Sequence, residues 1–432
     1  MLKFWFVIYN VILVPVLWII FKLLSIFNSK IKEGFKGRIN LFEDLKSNLA
    51  SQRCHSQTIL IHSSSLGEFQ QAIPLADALK EKSYNIVFSF FSPSGYNNSV
   101  KYLENHIITY LPFDSYVNAK RFLDILNPKV VILMRYDLWF NFLYLAKKRN
   151  IFVVIANARY DEKNWSWKLP LICSFKRTLY NLVDMFFVID DSDEKYYKKE
   201  FREKVDVIFK VGDSKYERVY QASKKVLAED VEKIVPSKVI ENKKVFVVGS
   251  SWKEDEELIL PVLNKIVKYE PHLLTFLVPH EPKETKLVII ERNISTKYEN
   301  LKVIRLSKIQ NYNVENIILV DTVGNLLKLY SIAYVSYVGG GFKSGLHNIL
   351  EPVVFGVPVI YANLVKNSDE NEFLESIGCG FVVNDQFEFY KIIRRLLSDY
   401  NYRNTIKTNC GRVFQEKLGT AEKIVQKIIQ HL

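Results

Sequence analysis

Apolar and polar positions divide the chain into stretches of different rhythm. Residues 1 to 28, MLKFWFVIYNVILVPVLWIIFKLLSIFN, are apolar almost without a break, and Lys22 is the only charge between Lys3 and Lys30. A helix of this length is long enough to cross a bilayer. From about residue 57 short apolar runs alternate with longer amphipathic ones. Thr58 to His62, Asn85 to Phe91, Lys129 to Met134, Phe152 to Ala156, Met185 to Ile189 and Val207 to Val211 read as buried strands. Glu68 to Lys82, Asn118 to Leu126 and Leu138 to Lys148 read as helices between them. Such alternation predicts a doubly wound parallel sheet. Residues 213 to 242 are charged and mostly helical, with no strand pattern. The alternation then restarts, with strands expected at Val245 to Val248, Leu273 to Val278, Val303 to Leu306, Ile317 to Val320, Tyr334 to Val338 and Val357 to Tyr361. This predicts an α/β protein with an anchor helix over 1–28, one doubly wound domain over 29–215 and a second over 216–432. The helical tail from Phe387 is expected to pack back.

The first stretch has rival readings. No small-residue cleavage site follows it and its apolar core is too long for a signal peptide. Lys30, Lys32, Lys36 and Arg38 follow it, against Lys3 and the amino terminus before it. That bias places the body of the protein on the cytoplasmic side. Pro15 within the run leaves a second possibility, a helix lying in the membrane interface. Cys54, Cys173, Cys379 and Cys410 are scattered with no CxxC spacing, which reads as reduced thiols in a cytosolic compartment. Fifty-nine Lys and Arg against 47 Asp and Glu give a net charge of +12, so an acidic partner is expected: nucleic acid, anionic lipid or an acidic substrate. No RNA-binding signature or basic-aromatic repeat supports nucleic acid.

The chemistry concentrates in Ala333 to Pro358, AYVSYVGGGFKSGLHNILEPVVFGVP. An apolar strand leads into Gly339, Gly340 and Gly341, and Leu346 to Phe355 is expected to form a helix before Gly356 and Pro358. Strand, glycine loop and helix make a phosphate cradle, since glycines admit an anion close to the backbone and the helix start aims N–H groups at it. His347, Asn348 and Glu351 fall in the first turns of that helix, with His347 and Glu351 four apart on one face. A carboxylate there is suited to ribose hydroxyls. The plain alternatives are a tight turn with a capped helix, or a His/Glu metal pair that no other ligand cluster supports.

A second candidate follows the first strand: His62-Ser63-Ser64-Ser65-Leu66-Gly67-Glu68. Ser65-x-x-Glu68 matches a capping box. It also fits a carboxylate presented at the strand ends to take a proton from an acceptor hydroxyl. Ligands in paired domains of this type bind in the cleft at the carboxyl ends of the strands. Gly249-Ser250-Ser251, Pro279-His280-Glu281-Pro282 and Asp321-Thr322-Val323-Gly324-Asn325 each follow a second-domain strand and are expected to line that rim.

Together these motifs carry a resemblance. Ser65-Leu66-Gly67-Glu68, Asp137-Leu138-Trp139, Asn157-Ala158-Arg159, Val211-Gly212-Asp213, Asp321-Thr322-Val323-Gly324 and Gly339-Gly340-Gly341-Phe342 with His347-Asn348-x-x-Glu351-Pro352 occur in order. The chain resembles the 3-deoxy-D-manno-octulosonic acid (Kdo) transferases of lipopolysaccharide assembly over nearly its whole length. The resemblance implies a GT-B fold of two Rossmann-like domains, the first binding the acceptor and the second the CMP-sugar. It implies inverting transfer from CMP-Kdo to a lipid A precursor at the cytoplasmic face of the inner membrane, with no metal or other cofactor. Glu68 then matches the catalytic base. Gly249, Ser250, Ser251, His280, Gly324, Gly340, Gly341, His347, Asn348 and Glu351 become the expected donor site, and Ser65, Gly67, Arg135 and Asp137 the expected contacts of the acceptor or the Kdo carboxylate.

The chain departs from the family pattern at three places. Arg135-Tyr136-Asp137-Leu138-Trp139 stands where many members have Glu-Thr-Glu-Leu-Trp, so a base replaces the first acid. His280 stands where an arginine often follows the proline, and Asn325 replaces the acid of Asp-Thr-x-Gly-Glu. The rivals are another membrane-associated GT-B transferase, a sugar-nucleotide epimerase, which needs no anchor, and a non-catalytic lipid-binding protein of the same fold.

Overall fold

The computed structural model describes residues 1–51, 57–100, 106–160, 165–342, 345–362 and 369–432. Cys54, Lys343 and Ser344 lie outside the described residues. The chain divides into two compact units, Met1–Arg218 with Lys417–Leu432, and Val219–Glu416.

The first unit is built on a sheet that has seven strands among the described residues: β1 (Thr58–Ser63), β2 (Asn85–Phe90), β3 (Ile107–Tyr110), β4 (Val130–Met134), β5 (Phe152–Ala158), β6 (Met185–Val188) and β7 (Ile208–Lys210). All pairs are parallel, in the order β3-β2-β1-β4-β5-β6-β7. The middle of β1, Ile59 to Ile61, and all of β4 are apolar because both of their faces are covered, as parallel sheets require. One face packs on Phe122 and Phe140 of flanking helices. The other packs on Phe69, Leu75 and Leu79 of the helix Leu66–Glu81. The closing helix Thr420–Ile429 adds Ile424, Val425 and Ile428 to that second core, and Glu217 accepts the N–H groups of Gly419 (2.8 Å) and Ala421 (2.7 Å).

The second unit repeats the plan with β8 (Lys244–Ser251), β9 (Leu273–Pro279), β10 (Val303–Arg305), β11 (Ile317–Leu319), β12 (Val335–Val338), β13 (Val359–Ala362) and β14 (Gly380–Val383), in the order β10-β11-β9-β8-β12-β13-β14. Both doubly wound domains expected from the hydrophobic rhythm are therefore present. β3 and β14 were not among the expected strands. Each has only four residues and is an edge strand of its sheet, an apolar run too short to stand out in the sequence.

The amino-terminal run is one continuous helical segment: Leu2–Ile8, a π turn at Tyr9–Leu13, then Val14–Phe27. It does not stand clear of the first unit. Trp5 and Tyr9 are buried, Trp5 Nε1 donates to Ser174 Oγ (3.2 Å), and Tyr9 OH donates to Asp114 Oδ2 (2.9 Å). Asn10 and Asn141 exchange amide hydrogen bonds, both 2.9 Å. Toward the other end Phe21 meets Phe91 and Phe113, with ring centroids 6.1 and 6.3 Å away. The outward face exposes Phe4, Val7, Val11, Ile12, Ile19, Leu23 and Ile26.

Of the four cations that follow, Lys30, Lys32 and Lys36 are exposed. Arg38 is taken up by the fold. Its guanidinium lies over Phe91, Tyr110 and Phe113 and donates to the carbonyls of Gly34, Phe91 and Leu111 at 2.7–2.8 Å. Arg38 therefore does not belong to the basic surface read from the sequence.

Candidate active site

In the first unit the helix Leu66–Glu81 starts just beyond β1, so its opening turn sits at the carboxyl ends of the strands. Ser65 caps it, its Oγ accepting the Glu68 N–H at 3.4 Å. The reciprocal half of the expected capping box is displaced by one residue. Glu68 Oε2 accepts from the N–H and the hydroxyl of Ser64, at 2.6 and 2.7 Å. Both bonds go to one oxygen, and Oε1 has no partner among the described residues. Glu68 is half-buried, while Ser65 and Gly67 are exposed. The carboxylate is thus held at one atom and presented at the other.

His62, the residue of β1 before Ser63, is buried and bridged on both nitrogens, to Ser89 Oγ (2.9 Å) and to Asp137 Oδ2 (2.7 Å). This ties the Asp137 loop to the strand that leads to Glu68. Arg135 sits at φ +64° between β4 and that loop, and its Nε donates to Gln71 Oε1 at 3.2 Å. Gln71 donates to Asp213 (3.3 Å), Asn157 donates to Asp213 (3.1 Å) and to Ser214 (2.8 Å), and Ser214 donates to the Gln71 carbonyl (2.7 Å). The sequence motifs at Asn157 and Asp213 are therefore parts of one buried polar network, of which Arg135 is the half-buried end. Gln71 and Ser214 escaped the sequence reading, and His62 and Ser64 entered it only as members of the stretch that leads to Glu68. Each is an ordinary polar residue whose partner lies 4 to 143 positions away.

In the second unit Gly249, Ser250, Ser251, His280, Gly340, Gly341 and His347 come together at the ends of β8, β9 and β12. Gly339 N–H donates to the Gly249 carbonyl (2.9 Å), His280 N–H to the Ser251 carbonyl (3.0 Å) and His347 N–H to the Gly339 carbonyl (3.2 Å). Trp252, His280 and His347 stack in series, with centroids 4.7 and 4.4 Å apart. Burial and the neighbouring His280 pull the His347 imidazole down to about 4. Gly341 backs onto the Ala362 carbonyl at the end of β13. Gly340 has φ +97°, and a Cβ there would stand 2.3 Å from the Gly345 carbonyl oxygen, so the turn admits no side chain.

The organiser of this loop is Asp255, which the sequence reading missed. It is buried; Oδ2 accepts the N–H groups of Trp252 (2.9 Å) and Gly340 (3.1 Å), and Oδ1 accepts the Tyr337 hydroxyl (2.7 Å). Burial raises its pKa. Beside it Glu256, which accepts from Ser251 Oγ at 3.1 Å, is pushed up by burial to about 7. The only local hint was the acid-rich Lys253-Glu254-Asp255-Glu256-Glu257 at a helix start.

The expected helix Leu346–Phe355 is corrected. Only Leu350–Val353 is helical, so His347 and Asn348 lie in the preceding loop and His347 does not share a helix face with Glu351. Pro352 has no N–H and fits only a first turn, and His347 N–H turns back to Gly339. A single turn supplies little dipole, and the N–H groups of Gly339, Gly340 and His347 are used within the unit. A helix-start cradle is therefore not what the loop offers. Asn348 and Glu351 still meet, Nδ2 to Oε1 at 3.1 Å. Gly324, at φ +85°, leads into the helix Leu326–Ser331, whose Tyr330 lies under Gly249.

Comparison with known proteins gives the following. Residues 34–218 match the family described as 3-deoxy-D-manno-octulosonic-acid transferase (kdotransferase). The chain is 27% identical over 389 residues to a 3-deoxy-D-manno-octulosonic acid transferase of Haemophilus influenzae, covering 87% of each. It is 27% identical over 424 residues to a bifunctional glycosyltransferase/methyltransferase of Fusobacterium nucleatum, covering 94% of this chain and spanning 61% of that relative's length. The fold is that of UDP-GlcNAc 2-epimerase from Neisseria meningitidis, solved with UDP-GlcNAc, at TM-score 0.60 and 14% identity over 87% of this chain and all 100% of that one. Together with the two parallel sheets this shows the GT-B architecture.

Proposed function

The chain belongs to the Kdo transferase family, and from that premise we propose that it transfers Kdo from CMP-Kdo to a lipid A precursor, with inversion and release of CMP. The fold alone does not separate a transferase from an epimerase. The observation that carries the reading is the clasp on Glu68: one carboxylate oxygen fixed by Ser64, the other without a partner among the described residues, at the strand ends of the first unit.

The anomeric bond of Kdo breaks with oxocarbenium character and leaves a phosphate. Inversion needs a base on the opposite face, as in inverting glycoside hydrolysis. Glu68 Oε1 takes the proton of the acceptor hydroxyl as its oxygen attacks. Fixing Oε2 restricts the carboxylate before substrate arrives, which favours the reactive geometry. The departing CMP is held in the second unit. Phosphate contacts fall to Ser250, whose hydroxyl has no partner among the described residues, and to Gly341. Glu351 takes the ribose, and the row of Trp252, His280 and His347 offers flat faces beside it. No metal is called on. Arg135 and Asp137 serve the acceptor end of the reaction, Arg135 through its tie to Gln71 and Asp137 through His62.

The amino-terminal helix holds the protein on the cytoplasmic face of the inner membrane. Its contacts favour the in-plane alternative over a crossing. Residues 5–10 and residue 21 rest on the first unit, while the opposite face is apolar and exposed. Lys30, Lys32 and Lys36 then meet anionic headgroups.

The test is direct. Purified full-length protein, CMP-Kdo and a tetra-acylated lipid A precursor are combined and the lipid is read by mass spectrometry. A mass gain of one or more Kdo units with stoichiometric CMP supports the reading. CMP released without lipid modification, or no CMP at all, refutes it.

A further inference from the structure

Between the amino-terminal helix and the first unit lies a cavity of 440 Å³. Its walls are Val14, Leu17, Trp18 and Phe21 of the helix and Phe113 and Trp139 of the unit. It opens between the two places where the helix touches the unit, Tyr9 and Phe21. The π turn Tyr9–Leu13 and Pro15, both features at which helices bend, fall in that interval.

The lining selects an apolar guest. Three polar residues also border the cavity, and each makes hydrogen bonds inside the unit. Asp114 accepts from Tyr9 OH and from the N–H groups of Asn141 and Phe142, all at 2.9 Å. Ser115 Oγ accepts the Asn118 N–H at 3.2 Å, and the Asn118 amide donates to the Phe113 carbonyl at 3.1 Å. An apolar chain suits such a wall. The volume falls within the range of small-molecule sites, roughly 300–1,000 Å³.

Position ties the cavity to the reaction. Trp139 is two residues beyond Asp137, which hydrogen-bonds His62 on β1 (2.7 Å), and Ser64 beyond that strand holds Glu68. A cation stands behind the same wall. Lys22 lies over Phe35, and Phe35 packs on Phe113 at 4.7 Å. A phosphorylated, acylated acceptor is complementary to both features. We infer that this cavity is the seat of one acyl chain of the lipid acceptor, so that the amino-terminal helix forms part of the acceptor site as well as the membrane attachment. The inference rests on the acceptor named in the proposed function.

Two measurements test it on the full-length protein in detergent. Leu17→Trp fills the cavity, and Ile20→Trp, which points outward and is exposed, is the control. Leu17→Trp is expected to raise KM for the tetra-acylated acceptor about tenfold with kcat little changed, the mark of lost ground-state binding. It leaves turnover of a fully deacylated acceptor at the wild-type value, and Ile20→Trp changes neither. An unchanged KM on the acylated acceptor, or equal loss on the deacylated one, overturns the proposal. The second measurement needs no turnover. A lipid A precursor carrying a diazirine at a chain end is expected to label the peptides containing Leu17 and Phe113, and Leu17→Trp to abolish that label. If diazirine-tailed phosphatidylglycerol labels the same peptides and unlabelled precursor does not compete, the cavity is a bulk-lipid seat and the proposal fails. Labelling by the precursor in a protein that transfers no Kdo refutes the transferase reading and leaves the cavity assignment intact.

Discussion

The loop after β1 and the loop after β12 look alike in sequence: a strand, a run of small residues, then the start of a helix. They are built differently. The first opens a helix of 16 residues, and its candidate carboxylate is held by a neighbour four positions away. The second leads to a helix of four residues, and its shape is imposed by Asp255, 85 positions from the Gly340 it binds. One loop is stabilised by local hydrogen bonds that form with the helix itself. The other exists only once β8, β9 and β12 are side by side. Substitutions should therefore act on chemistry in the first loop and on the site's existence in the second.

The largest effect is expected at Glu68. Glu68→Gln keeps the helix start, because Gln can still accept from Ser64, but it cannot take a proton. Transfer should fall by roughly 10²–10⁴-fold, with CMP affinity and thermal midpoint near wild type. Near-normal turnover would reduce Glu68 to a helix cap.

Asp255 should behave in the opposite manner. Asp255→Ala leaves the donors of Trp252, Gly340 and Tyr337 without their acceptor. A cost on the order of 3 kcal/mol is expected in denaturant unfolding, with CMP affinity lost alongside. Asp255→Asn can still accept both N–H groups and turn its amide toward the tyrosine oxygen, so it should retain most of both. Equal loss from Asn and Ala would mean that the charge, and not the clasp, shapes the loop.

Glu351→Ala sharpens the role of the second loop without dismantling it. Losing a charge-assisted hydrogen bond to ribose should weaken CMP binding by about 1.5–3 kcal/mol. Unchanged affinity by calorimetry would remove Glu351 from the donor site.

A smaller effect concerns pH. His347 is held near 4 in the folded unit, below the ordinary imidazole value of about 6.5. Below the ordinary value the unfolded chain binds a proton that the folded one does not. The stability contribution is therefore complete above the ordinary value and falls as pH drops toward 4. His347→Asn should flatten the decline in thermal midpoint between pH 7 and pH 5 relative to wild type, while the opposite contribution of Glu256 remains in both proteins. A steeper decline in the variant would reverse the assignment. The smallest expected effect is none. Among the described residues no three His, Cys, Asp or Glu side chains gather to hold a metal, and chelation should leave turnover unchanged. Loss on chelation with recovery on adding a divalent ion would require a metal-assisted mechanism.

Much of this protein was legible from residue order. Two sheets, the break after the first, and strand-end placement of Ser65–Glu68 and Gly339–Gly341 follow from apolar runs of strand length between amphipathic ones. Those patterns arise because a parallel sheet must bury both faces. The Glu68 turn was legible for a related reason: its partners are within four residues. What tertiary structure decided is whatever depends on distant partners. Asp255 became the support of the glycine loop, and Arg38 left the basic surface for three aromatic rings. The amino-terminal helix shows the division most plainly. Its composition specified an apolar helix able to enter a membrane. Only the folded chain, by burying Trp5 and Tyr9 and pairing Asn10 with Asn141, laid that helix along the first unit, because a buried hydroxyl or amide must find a partner wherever the chain brings one.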